Sequence, residues 1–328
     1  MAAIIDGLGG APVDYRAQSF ARQLWRFSRP HTVVGTTLSL LALWVMAQGL
    51  GRGGAVGMNP ADLADPISVW ELLLAWGACL GANVYIVGLN QLTDVPLDRI
   101  NKPYLPLASG AWSVRTGQIV VWGCFGASLL VTALIGERWL SWTVGLSLVL
   151  GTAYSLPPFR LKRFNFWAAF CIIAVRSLIV NLLLLAHVAQ WRAPLLDLPP
   201  VVWLLVFVMF AFSVGIAWFK DLPDGEGDAA FGVETLTVKL GKWRVLKQGR
   251  MVLGGALAVA ALATPISGRF GGAGVFLGVT QAVVLAVFVW MSRGVSLGEA
   301  ASIRAFYLRL WGLFFIEYGV FAVGGWLV

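Results

Sequence analysis

Apolar residues run in long stretches along this chain, and charged residues gather between them. The runs cover 31–50, 70–90, 114–135, 139–155, 165–190, 199–219, 245–267, 270–291 and 304–327. A helix that crosses a bilayer needs about 20 mostly apolar residues. Nine such runs predict an all-α, multi-pass membrane protein with about nine transmembrane helices. The tightest connection joins the third and fourth runs, where Glu137 and Arg138 mark a turn. Residues 1–29 lack an apolar core and carry Asp6, Asp14 and four arginines, so they do not read as a signal peptide. Between Tyr15 and Phe27, Phe20, Leu24 and Phe27 recur at helical spacing beside Arg16, Arg22 and Arg26. That pattern predicts a short helix on an anionic membrane surface, or simply a basic leader. The chain divides into a leader, 1–29, and one transmembrane domain, 30–328.

The basic residues orient the runs. The tail before the first run and the loops after the second, fourth, sixth and eighth carry nineteen Lys and Arg; the opposite face carries four. By the positive-inside rule the N-terminus and the loops that share its face are cytoplasmic, or stromal in a thylakoid. Composition agrees: 59% of residues are hydrophobic and 12% charged, and the mean hydropathy is +0.79. Lipid must therefore solvate much of the surface. The net charge of +8 would suggest nucleic acid in a soluble protein, but no nucleic-acid module is present and no obligate protein partner is evident. Cys79, Cys124 and Cys171 stand alone in apolar runs, and His31 and His187 are isolated, so neither a redox pair nor a zinc site is expected.

The chemistry lies in two acidic loops. Asn90, Asp94 and Asp98 follow the second run, and Asp221, Asp224 and Asp228 follow the sixth. Asp94 and Asp98 align with Asp224 and Asp228 at an offset of 130 residues, a weak internal repeat that predicts two helical bundles of similar plan. Spacings of three and four place each set on one helical face, although Pro96, Pro223, Gly225 and Gly227 predict helix ends or kinks there. Hard carboxylate oxygens suit Mg²⁺, which shares its ligands with substrate phosphates and water. Five carboxylates beside a diphosphate need such cations to offset their charge. Lys102, Arg160, Lys162 and Lys220, with Tyr154 close by in sequence, are candidate phosphate holders. As topology charges they would have no further role. Inside the runs, Arg176, Asn181 and Asn83 are candidate substrate residues. Arg176 could instead form an ion pair with Glu317. His31, at the mouth of the first run, is a candidate for recognising an acidic or phenolic acceptor, or else caps that helix. A rival of another class is an ion-binding transporter, which would place its acids near mid-membrane on broken helices.

Several stretches carry a family resemblance: Phe27-Ser-Arg29-Pro-His31-Thr, Asn90-Gln-Leu-Thr-Asp94 running on to Asn101-Lys102-Pro103, Tyr154-Ser155-Leu-Pro157-Pro158, and Lys220-Asp221-Leu-Pro-Asp224-Gly-Glu-Gly-Asp228. From about residue 23 onward the chain resembles the UbiA-type intramembrane aromatic prenyltransferases, and Gln91 is similar to the homogentisate branch, phytyl-transferring type. The resemblance implies nine helices around a central cavity open to lipid. It also implies a prenyl diphosphate donor, homogentisate as acceptor, Mg²⁺-dependent loss of diphosphate, and ring alkylation by an allylic cation with loss of CO₂. A longer solanesyl donor or another aromatic acid is the nearest alternative.

Overall fold

In a computed structural model of the chain, residues 16–53, 62, 65–223 and 235–328 are described. Twelve helices follow in order among them. They are α1 (Phe20–Phe27), α2 (Pro30–Gly53), α3 (Val69–Thr93), α4 (Val95–Asn101), α5 (Val114–Ile135) and α6 (Arg138–Ser155). Then come α7 (Asn165–Val188), α8 (Pro200–Phe219), α9 (Leu236–Leu240), α10 (Lys242–Ile266), α11 (Ala273–Arg293) and α12 (Ala300–Leu327). No β-strand occurs among the described residues. The nine long helices match the nine apolar runs, with ends within four residues.

Eight of the nine are long and apolar enough to cross a membrane. The exception is α6, expected as the span 139–155. It has 18 residues, about 27 Å of rise against a hydrocarbon core of about 30 Å. It also carries hydroxyls on its inner face: Thr143 and Ser147 are buried, and Thr152 shares a 2.8 Å hydrogen bond with Tyr85. That helix serves the protein interior as much as the lipid.

The long helices close into a ring. Each of α2, α3, α6, α7, α8, α10, α11 and α12 packs on the next, and α12 packs back on α2. Small residues make the closing contact. A Cβ added at Gly49 of α2 would lie 2.5 Å from the Gly325 carbonyl oxygen of α12, so the backbones meet there without side chains between them. Outward faces carry large apolar residues such as Leu134, Ile266 and Trp290. The first acidic motif follows α3 and the second follows α8, each the second helix of a four-helix set: α2, α3, α5, α6 and α7, α8, α10, α11.

The ring surrounds a half-open, largely apolar cavity of about 170 Å³ into which a few polar side chains project. Thr32, Thr36 and Ser39 of α2, Asn83 of α3, Ser147 and Tyr154 of α6, Arg176 of α7 and Tyr318 of α12 line it. The short helix expected between Tyr15 and Phe27 spans Phe20–Phe27, started by the Ser19 side chain accepting from the Arg22 amide. Its Phe20 ring stacks on Trp112 at 5.3 Å.

Candidate active site

The C-terminal ends of α3, α6 and α8 converge on the N-terminal end of α2, and the first motif lies at this junction. Helix α3 ends at Thr93, Asp94 forms the hinge, and α4 restarts at Val95 with Pro96 near its start. Proline lacks the amide that a continuous helix needs, and the first turn is where that loss costs least. The break expected from Pro96 is therefore present, and it faces the Asp94 carboxylate toward the loop after α6. Lys162 Nζ donates to Asp94 Oδ1 at 2.6 Å and to Thr93 Oγ1 at 2.7 Å. Arg160 Nη2 lies 3.6 Å from the same carboxylate oxygen. Asn90 Nδ2 donates to Asp94 Oδ2 at 3.2 Å, and Asn90 Oδ1 accepts from Arg29 Nη2 at 3.2 Å. Asp98 lies one turn further on in α4 and is buried.

Backbone strain marks the same place. Arg29 and Arg160 have φ of 52° and 39°, in the left-handed region that non-glycine residues seldom occupy. Their side chains are the ones that reach Asn90 and Asp94. Sequence reasoning had Arg29 only as a topology charge; its place beside His31 in Phe27-Ser-Arg29-Pro-His31 was the available signal.

The second motif is described as far as Pro223; Asp224 and Asp228 lie outside the described residues. Lys220 caps α8. Its Nζ donates to Tyr154 Oη at 3.2 Å, sits 5.7 Å above the Tyr154 ring, and lies 3.8 Å from Asp221 Oδ1. Tyr154 lines the cavity, so the Lys220–Asp221 pair borders its mouth. Burial works to lower the pKa of Lys220, but Asp221 and Tyr154 outweigh it and hold the ammonium above the ordinary lysine value. At Lys162 burial wins and lowers the pKa, against the opposing pull of Asp94.

Other candidates fall into two groups. Asn83 lines the cavity and donates to Thr32 Oγ1 at 3.0 Å. His31 packs edge-on against Trp311, with centroids 5.0 Å apart, and Arg176 lies over that same indole at 4.4 Å. Asn181 does not present its amide to the cavity: Nδ2 donates to the carbonyls of Arg176 and Ser177. Lys102 ends α4, its backbone amide donating to the Asp98 carbonyl at 2.7 Å. The alternative ion pair of Arg176 with Glu317 does not form. Six residues separate Trp311 from Glu317 on α12, about 9 Å of rise, and Glu317 turns to α11 to accept from Gln281 Nε2 at 2.7 Å.

Gln91 is 1% exposed and does not line the cavity. Its Nε2 donates to the Phe27 carbonyl at 2.7 Å. The Phe27 ring fills the space above Gly88, where an added Cβ would meet it at 2.7 Å. Gln91 and Gly88 thus pin the α1–α2 junction onto α3, two residues before Arg29.

Both described motifs sit at helix ends, not at mid-span where a transporter with broken helices would hold ions. Among the described residues no three His, Cys, Asp or Glu side chains converge closely enough to hold a metal alone. Sparse, hard carboxylate oxygens fit Mg²⁺, which takes few protein ligands and completes its shell with phosphate and water.

The profile of the UbiA prenyltransferase family matches residues 53–315. The chain belongs to the UbiA prenyltransferase family. A homogentisate phytyltransferase of Synechocystis sp. is 44% identical over 310 residues, 92% of this chain and 95% of that protein. A homogentisate geranylgeranyltransferase of Hordeum vulgare is 35% identical, covering 90% of this chain and 71% of that protein. A chloroplastic homogentisate solanesyltransferase of Arabidopsis thaliana is 36% identical, covering 94% and 78%. Among solved structures, a UbiA homologue from Archaeoglobus fulgidus bound to GPP and Mg²⁺ superposes with a TM-score of 0.59 at 17% identity, covering 92% of this chain and 99% of that one. That likeness places the fold in the UbiA family as well.

Proposed function

We propose that this chain transfers a prenyl group, phytyl first among donors, from its diphosphate to homogentisate with loss of CO₂. The observation that carries the proposal is the largely apolar cavity whose mouth is bordered by Tyr154 and Lys220, beside the Asp94–Lys162–Arg160 cluster. The 44% identity to a homogentisate phytyltransferase supports this acceptor and donor; the relatives named for geranylgeranyl and solanesyl transfer keep donor length as the variable.

Asp94, Asp98, Asp221, Asp224 and Asp228 are the residues that would hold Mg²⁺, with Asn90 orienting Asp94. Bound there, Mg²⁺ offsets the charge that gathers on the departing diphosphate. Lys162, Arg160, Lys220 and Lys102 take phosphate oxygens as the donor's C–O bond breaks, supplying positive charge where negative charge develops. The donor's allylic carbon then bonds to a ring carbon of the acceptor, which gives up its proton. The acetate side chain loses CO₂ and takes up one proton, so protons balance. The largely apolar cavity wall limits the access of water to the allylic cation. The distribution of basic residues supports a cytoplasmic or stromal mouth.

The test is product mass. Membranes holding the chain, given homogentisate and phytyl, geranylgeranyl or solanesyl diphosphate in turn, should yield the methyl-phytylquinol as the main product, and excess chelator should stop the reaction. Full turnover in chelator overturns the metal role. A dominant solanesyl product overturns the choice of donor.

A further inference from the structure

We propose that Arg176 is the anchor for the acceptor's carboxylate, held on the face of Trp311 so that its charge points into the cavity. The inference rests on the functional reading above and deepens it by naming the residue that selects an arylacetate anion.

Arg176 lies in a π-helical stretch of α7, Ala174–Leu184. Such wide turns are uncommon and occur often at functional sites. Asn181 braces this one, its amide donating to the Arg176 carbonyl at 2.8 Å. The widened turn presents Arg176 to the cavity, and Asn181 serves the backbone.

Arg176 has no acidic partner among the described residues. The described ion pairs involve Arg160, Lys162, His187 and Lys220, and Glu317 is bound to Gln281. The guanidinium instead lies 4.4 Å from the Trp311 ring centroid, and Trp311 is buried. A cation–π contact steadies a guanidinium without neutralising it. A cation in the membrane interior calls for a counter-charge, and here the wall that Arg176 shares with Asn83, Thr32 and Tyr318 is an open cavity. A ligand carboxylate supplies that charge, and a guanidinium fork binds a carboxylate in bidentate fashion. Tyr154, on the same cavity, touches Lys220 at the diphosphate end. An acceptor gripped at Arg176 therefore presents its ring between the anchor and the donor's allylic carbon. Once CO₂ leaves, the product no longer has the group that Arg176 holds, which favours release.

The experiment compares homogentisate with methylhydroquinone, which has no carboxylate, using the full chain in proteoliposomes with phytyl diphosphate and Mg²⁺. Arg176→Gln should raise the homogentisate KM roughly tenfold or more, equivalent to about 1.4 kcal/mol. KM values for methylhydroquinone and for the donor should stay within about twofold. Arg176→Lys keeps the charge without the fork and should fall between. Equilibrium binding of homogentisate without donor should weaken in the same order. An unchanged homogentisate KM, or a rise in donor KM instead, overturns the proposal. If Arg176→Gln does not accumulate in membranes, Arg176→Lys with wild-type affinity overturns it equally. A wild-type chain that prenylates neither acceptor overturns the functional reading itself, a result distinct from turnover that is indifferent to Arg176.

Discussion

Two acid–base pairs sit at opposite ends of the helical ring, and they differ in what is left over. At one end Glu137 accepts from His187 Nδ1 at 2.8 Å and from the amides of Trp139 and Leu140, both at 2.9 Å. Its carboxylate is consumed in starting α6 and tying α7 to it. At the other end Asp94 meets Lys162 at 2.6 Å, with Arg160 and, through Asn90, Arg29 gathered around it. Two of those arginines sit on left-handed backbone, and the helix beneath is broken. The first pair closes a structural account. The second gathers Lys162, Arg160 and Arg29 about the first acidic motif, Asp94 with Asp98 close by, at the mouth of the cavity. Left-handed backbone occurs at both ends, for Gln190 beside His187 has φ of 51°; the gathering of several charges at a cavity mouth, not strain or the closeness of an ion pair, separates a reacting site from a structural clasp.

That contrast can be broken at several points. Asp94→Ala should lower turnover by roughly a thousandfold, about 4 kcal/mol of barrier, measured as product per unit of folded protein. Near-normal turnover would put Asp94 in the same class as Glu137. Lys162→Ala should raise the donor KM roughly tenfold or more and leave the homogentisate KM nearly unchanged in steady-state assays. Gln91→Leu leaves the Phe27 carbonyl without its donor, a loss of about 1–3 kcal/mol. It should cut kcat/KM severalfold by loosening Arg29, with no change in Mg²⁺ dependence.

Glu137→Gln should leave kcat untouched and lower Tm by on the order of a few degrees. Burial works to raise the Glu137 pKa, but His187 and the two amides outweigh it and hold the carboxyl below its ordinary value. Its contribution is therefore complete above the unfolded carboxylate pKa of about 4.3 and fades as pH falls through the lower folded value. The difference in Tm between wild type and Glu137→Gln should accordingly shrink below about pH 4. A difference that persists there would point to shape rather than charge.

The fold was readable because lipid leaves so few solutions. Each crossing must satisfy its own backbone, so apolar runs and helices coincide to within four residues. Asp94, Arg160 and Lys162 were readable as a charge set, as was Lys220 beside Tyr154, because acids and bases concentrate in loops on one face. Partnerships across the chain were not readable. Nothing local in the sequence announces that Trp311 lies under Arg176, or that Arg29 reaches Asn90. Asn181 was a candidate for the cavity, but in the π-helical stretch its amide donates back to the Arg176 carbonyl. Gln91 was singled out by the resemblance; its amide acts on the carbonyl of Phe27 and not on the cavity.

The ring closes where α12 meets α2 across Gly49 and Gly325. Those helices are the first and last long ones among the described residues. Trp311, Phe314 and Tyr318 all belong to α12, so this one seam sets the wall of the cavity that meets Arg176. The two glycines thus act as the latch of the chamber: a side chain at either would part that wall from α2 while leaving Asp94 and Lys162 where they are.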